Sequence, residues 1–276
     1  MRIALCNEVL AGMSLERQCE YAARLGYDGL EIAPFTLSDA PEEISTAEAA
    51  KIRATVEASG LAVTGLHWLL VKPEGLSLTD PDATIRARTV AVMIRLIALC
   101  AELGGEVLVH GSPKQRQIAS GQTHADALAR LQDGLAQVAS TAASAGVIYC
   151  IEPLSRRQTA LVNTIAEATE LVRAIGHPGL RTMIDCSAAG LTETESVPAL
   201  IDRWLPTGLI AHIQANDPNR RGPGQGEMKF APILAALRRH HYAGTIAVEP
   251  FDYLPDGAGV AAFAAGYLRG ILEASA

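Results

Sequence analysis

The sequence has no run of about 18 uncharged apolar residues, so no segment of it is built to cross a bilayer as a helix. The apolar stretch within MRIALCNEVLAGMSLERQCE at its start is too short for a signal peptide, and a cytoplasmic protein is expected. Cysteine is scarce: Cys6, Cys19, Cys100, Cys150 and Cys186 are odd in number, widely scattered and form no CxxC pair. That pattern points away from a disulfide framework or a structural zinc site and predicts reduced, mostly buried thiols. Basic residues are outnumbered, 23 Lys and Arg against 30 Asp and Glu, for a net charge of −7. A nucleic-acid partner wants the opposite balance. No Pro- or Ser-rich linker, low-complexity tract or charge run divides the chain, so a single domain over 1–276 is expected.

What the chain does contain is alternation. Eight apolar runs read as strands: RIALCNEV from Arg2, DGLEIAP from Asp28, LAVTGLHWL from Leu61, EVLVHGS from Glu106, VIYCIEP from Val147, LRTMIDC from Leu180, LIAHIQAND from Leu209 and TIAVEPF from Thr245. Between them, residues 14–25, 46–59, 84–103, 124–145, 164–175, 231–240 and 258–274 carry apolar residues at helical spacing, with a shorter helix over 197–204. Thr164 and Glu167 form a candidate capping box. Eight strands alternating with helices build parallel βαβ units, which either close into a barrel or form a doubly wound sheet. A doubly wound sheet announces itself with a Gly-rich turn after its first strand, and NEVLAGMS is no GxGxxG. The expected fold is a single (β/α)8 TIM barrel.

Barrel active sites form where the strand C-termini open, so the polar residues there carry the argument. They are Asn7, Glu8, Glu31, His67, Trp68, His110, Glu152, Asp185, Gln214, Asn216, Asp217 and Glu249. Strands five to eight end on Glu152, Asp185, Gln214 and Glu249, separated by 33, 29 and 35 residues, one βα unit each. Singly, each acid reads as a helix N-cap or a loop residue. Together they converge, and three carboxylates at one point repel unless a cation lies between them. An all-oxygen set with open positions suits a hard divalent ion.

IEPLSRRQT (151–159), MIDCSAAG (183–190), HIQANDPNRRGPGQGEMKF (212–230) and AVEPFD (247–252) give the chain a whole-length resemblance to the xylose-isomerase-like sugar isomerase and epimerase superfamily. GLHWLL (65–70) and LVHGSPKQR (108–116) match more weakly. The resemblance implies one divalent metal ion, Mn2+, Mg2+ or Co2+, held by Glu152, Asp185, Gln214 and Glu249. It implies that Glu152 and Glu249 form the acid/base pair, moving a proton through an enediolate. It also implies a homo-oligomer, dimer or tetramer, and places Arg220 where epimerases hold substrate oxygens. Ketose epimerases carry His where Gln214 stands, and Glu and His where Gln158 and Ala188 stand. The metal set is kept while the specificity set has changed.

Among the remaining candidates, His67 or Trp68 is read as a wall against the sugar, only one of them facing inward. His110 and Gln158 are further substrate contacts, and His212 lies one layer deeper than Gln214 on the same face. Lys114, Arg116, Arg156, Arg157, Arg220 and Arg221 surround the mouth, GPGQG (222–226) has the composition of a lid, and His240 and His241 sit at a helix end on the far face. The leading reading is a metal-dependent isomerase or epimerase of a small sugar. A dehydratase of the same fold, acting on a keto-sugar or keto-inositol, is the second. A metal-free binding barrel is the third, and a DNA-repair endonuclease is disfavoured by the acidic balance.

Overall fold

Strand side chains alternate between two faces, so a sheet buried on both faces needs apolar runs rather than alternation. The eight runs meet that demand. The computed structural model, which describes residues 1–274, places them as β1 Arg2–Cys6, β2 Gly29–Ile32, β3 Ala62–Leu66, β4 Val107–His110, β5 Ile148–Ile151, β6 Leu180–Asp185, β7 Ile210–Ala215 and β8 Thr245–Val248. They pair in sequence order, all parallel, and β8 closes on β1.

The helices are α1 Leu15–Arg24, α2 Thr46–Ala58, α3 Ala83–Leu103, α4 His124–Ser144, α5 Ile165–Ile175, α6 Cys186–Thr192, α7 Val197–Trp204, α8 Phe230–Arg239 and α9 Gly257–Ala274. Thr164 caps α5 in the expected box with Glu167, and the same device starts α2 and α4. The sequence reading contains no counterpart of α6. Its seven residues follow β6 without a break and are too few to show a helical period.

The main core lies between the sheet and the helices, while Val107, Val109, Cys150 and Met183 form a small apolar cluster of their own. A register shift between Thr182 and Met183 sets His212 opposite Met183 and Gln214 opposite Asp185. That shift helps turn the β7 polar residues inward. All five cysteines are free and buried, as expected. Among the described residues, no helix is long and apolar enough to cross a membrane.

Candidate active site

The upper barrel interior is polar. Glu31 on β2 is fully buried. Its Oε1 accepts from Gln214 Nε2 at 2.9 Å, and its Oε2 lies 2.7 Å from His212 Nε2, a close ionic contact not aligned as a hydrogen bond. Burial would raise the Glu31 pKa, but His212, His67 and Gln214 outweigh it and hold the group below its ordinary value.

A second chain of contacts crosses the mouth. His67, just past β3, sets Nε2 2.9 Å from Glu8 Oε2 and Nδ1 2.9 Å from Glu249 Oε1. Where a carboxylate is ionised it only accepts, and the facing ring nitrogen is then the donor; a protonated Glu249 could instead donate to Nδ1. Burial opposes a charge on the imidazole, yet Cys6, Glu8 and Glu249 together hold the His67 pKa well above its ordinary value.

Glu152, just past β5, lies over Gly111, where any Cβ would collide with Glu152 Oε2. Arg116, fully buried, donates Nη2 to the Glu152 carbonyl at 2.6 Å. Asp185 Oδ1 accepts from the Ala188 amide at 2.6 Å and so caps α6. Its Oδ2 accepts from Asn216 Nδ2 at 2.7 Å, and Asn216 also donates to the Glu249 carbonyl and accepts from the Ser187 amide.

Crowded acids in a dry site hold their protons. Burial, then Glu249 and Asp185, push Glu152 well above the carboxylate range. Burial takes Asp185 to about 6 against its hydrogen bonds, and takes Glu249 to about 8 against the pull of His67. Glu249 Oε2 and Gln214 Oε1 are buried without a partner. Three carboxylates and an amide, two of their oxygens orphaned, make an oxygen donor set of the kind a divalent cation takes, and the ion would replace the protons the acids otherwise keep. Among the described residues, the His, Cys and acidic side chains whose ligand atoms lie within 4.8 Å of one another are Cys6, Glu8, His67 and Glu249, without Glu152 and Asp185. That set shares only Glu249 with the first, and both His67 nitrogens already face carboxylates.

Glu152 and Asp185 border a pocket also lined by Trp68, Phe251, Arg157, Gln158 and Arg220. The chain matches the xylose isomerase-like TIM barrel family over residues 19–270. It belongs to that family. It is 30% identical over 235 residues to the D-psicose 3-epimerase of Agrobacterium fabrum, covering 84% of this chain and 78% of the relative. The 3-dehydro-D-guloside 4-epimerase of Escherichia coli is 23% identical over 90% of this chain and 92% of its own length. The crystal structure of a D-psicose 3-epimerase in the presence of D-fructose superposes with a TM-score of 0.82 at 25% identity, over 99% of both chains.

Within this xylose isomerase-like barrel several expectations need correction. His67 and Trp68 both reach the site, because Trp68 takes φ 50° and breaks the strand alternation. Trp68 stacks on Phe251 at 5.7 Å and lines the pocket, whereas His67, like Gln214 and Glu249, lies behind the lining, and both His67 nitrogens face glutamates. His212 likewise stays below, against Glu31. His110 shares its strand face with Leu108 and sets Nδ1 2.9 Å from Tyr149 Oη, away from the pocket. Burial first, then Arg116, takes its pKa down to about 3.

Gln158 does line the pocket, but its Oε1 accepts from the Ser155 amide and hydroxyl. Of the basic residues, Arg116 is buried, Arg156 meets Asn163 and Glu167, and Arg221 pairs with Asp252. Arg157 and Arg220 remain in the pocket wall, and the Arg220 guanidinium lies 5.4 Å from the Phe251 ring centre. His240 pairs with Asp202 on the far side. Around the GPGQG segment, Asp217 Oδ2 accepts from the Met228 amide, Asn219 donates to the Gln225 carbonyl and Gln225 donates to the Leu254 carbonyl. The sequence marks Cys6 only as a buried thiol and does not single out Gly111 or Phe251. Phe251 had a signal, two residues after Glu249; Gly111 had none.

Proposed function

We propose that the protein is a sugar epimerase or isomerase dependent on one divalent ion, with Glu152 and Glu249 exchanging the proton. The observation that carries the reading is a pair of buried glutamates just past the ends of β5 and β8, with Glu249 Oε2 buried and unpartnered. A carboxylate freed of its proton by the ion can take one from the substrate and return it. Glu152, Asp185, Gln214 and Glu249 would hold the ion, which supplies Lewis acidity for the substrate carbonyl when bound.

The chain's own residues do the rest. His67 fixes Glu249 Oε1 and leaves Oε2 free. Trp68 and Phe251 offer apolar faces to the sugar and exclude water, and Arg157 and Arg220 offer donors to its oxygens. Abstraction beside the carbonyl gives an enediolate; return from the opposite face epimerises, and return to the neighbouring carbon isomerises. The relatives named as ketose and glycoside epimerases support this class of reaction.

The test is a screen of ketoses, sugar acids and keto-inositols with Mn2+, Mg2+ or Co2+ in deuterated solvent. Deuterium is expected at the converted carbon, with turnover about 10²–10⁴-fold lower in Glu249→Gln. Conversion without deuterium, or full activity in that variant, defeats the proposal; a dehydrated product moves it to the lyase reading.

A further inference from the structure

An amide has two ends, and only its carbonyl oxygen suits a cation. We propose that Glu31, braced by His212, is a positioning residue that turns the Gln214 carbonyl oxygen toward the cation and keeps the donor set all oxygen. The proposal rests on the reading above that Gln214 belongs to the ion's ligands.

The geometry divides the two ends cleanly. Glu31 Oε1 accepts from Gln214 Nε2 at 2.9 Å, while Gln214 Oε1 is buried with no partner. The end of the amide nearest Glu31 is the NH2, which donates to the carboxylate oxygen. The other Glu31 oxygen lies 2.7 Å from His212, two residues before Gln214 on β7, and all three side chains are buried. The pair therefore grips β2 against β7 and leaves Glu31 Oε1 to the Gln214 amide, with the Cys6 thiol 3.9 Å away as that oxygen's second donor. Without that acceptor the amide is free to flip, and a flipped amide presents a donor where the ion needs a lone pair. Groups behind a ligand that fix its orientation are a general feature of metal sites. With the carbonyl outward, three carboxylates and one amide oxygen form a set suited to Mg2+ or Mn2+ rather than to softer ions.

The experiment titrates MnCl2 into the metal-stripped full-length protein by calorimetry, with thermal unfolding as the check on the fold. Glu31→Gln, whose own amide can present either its oxygen or its NH2 and so no longer dictates which end of Gln214 faces it, is expected to weaken Mn2+ binding ten- to a hundredfold, a range typical of groups behind a ligand. Gln214→Ala is expected to weaken it comparably, and Glu31→Gln added to Gln214→Ala to cost nothing further, since one residue acts through the other. Unchanged affinity in Glu31→Gln, or the same loss in both backgrounds, overturns the proposal. Undiminished affinity in Gln214→Ala instead removes the ligand assignment beneath it. Gln214→Glu leaves the Glu31–His212 contact in place and serves where Glu31→Gln does not fold. It replaces the donating NH2 by a second acid against Glu31, so Mn2+ is expected to bind at least tenfold more weakly despite the added charge. Tighter binding there overturns the proposal.

Discussion

One methyl group at position 111 would enter the space held by the Glu152 carboxylate. Gly111→Ala is therefore expected to displace that group and lower kcat/KM about a hundredfold, the scale of a 1 Å misplacement. Unchanged turnover with unchanged Mn2+ stoichiometry would show that Glu152 does not need its seat there. Arg116 is the other residue beneath Glu152. Removing a buried charged donor leaves the Glu152 carbonyl unsatisfied, so Arg116→Met is expected to cost about 2–3 kcal/mol in urea unfolding. The sequence placed Arg116 on the rim, since nothing in GSPKQR shows that a 3-10 turn over Pro113–Arg116 folds its side chain inward. The four oxygen-bearing strand ends were legible because they recur once per βα unit. Their partners were not: His67 touches Glu8 and Glu249 across 59 and 182 residues, and Glu31 meets Gln214 across 183. Spacing along a chain carries no record of which residues meet across a closed barrel.

At the scale of elements, eight strands and eight of the nine described helices could be read from period and caps. The exception, α6, is the one that matters for the site. From the sequence Asp185 reads as either a helix cap or a cation ligand, and in the structure its two oxygens have different partners. Oδ1 caps α6, while Oδ2 is held by Asn216. Asn216 ties the ends of β6, β7 and β8 by hydrogen bonds to Asp185, Ser187 and Glu249. Asn216→Ala removes three buried bonds of about 1 kcal/mol each. A loss of about 3 kcal/mol is expected in denaturant unfolding, together with about tenfold weaker Mn2+ binding. Loss of stability with Mn2+ affinity intact would mean that Asn216 braces the strands without aiming Asp185.

At the scale of the whole molecule, the crowded acids make stability depend on pH in a direction that metal reverses. Asp185 and Glu249 sit at about 6 and about 8 in the folded chain, above their ordinary values of 3.8 and 4.5. A raised pKa means that the folded state binds the proton more tightly. That contribution is complete below the ordinary values and is lost as pH rises through about 6 and then about 8. His67, also raised, works in the same direction, while Glu31, lowered, matters only at acid pH. The metal-free protein is therefore expected to lose Tm steadily between pH 5 and pH 8.5. Ligands must shed their protons to bind an ion, so Mn2+ binds more tightly over that same interval and adds stability by mass action. The two curves should diverge: little difference in Tm near pH 5, and a difference of many degrees near pH 8. Calorimetric scans with chelator and with excess Mn2+ across that range measure it directly. A gap that stays constant with pH would mean that the ion does not take the place of the protons on Asp185 and Glu249, and would separate the acids from the cation they are proposed to hold.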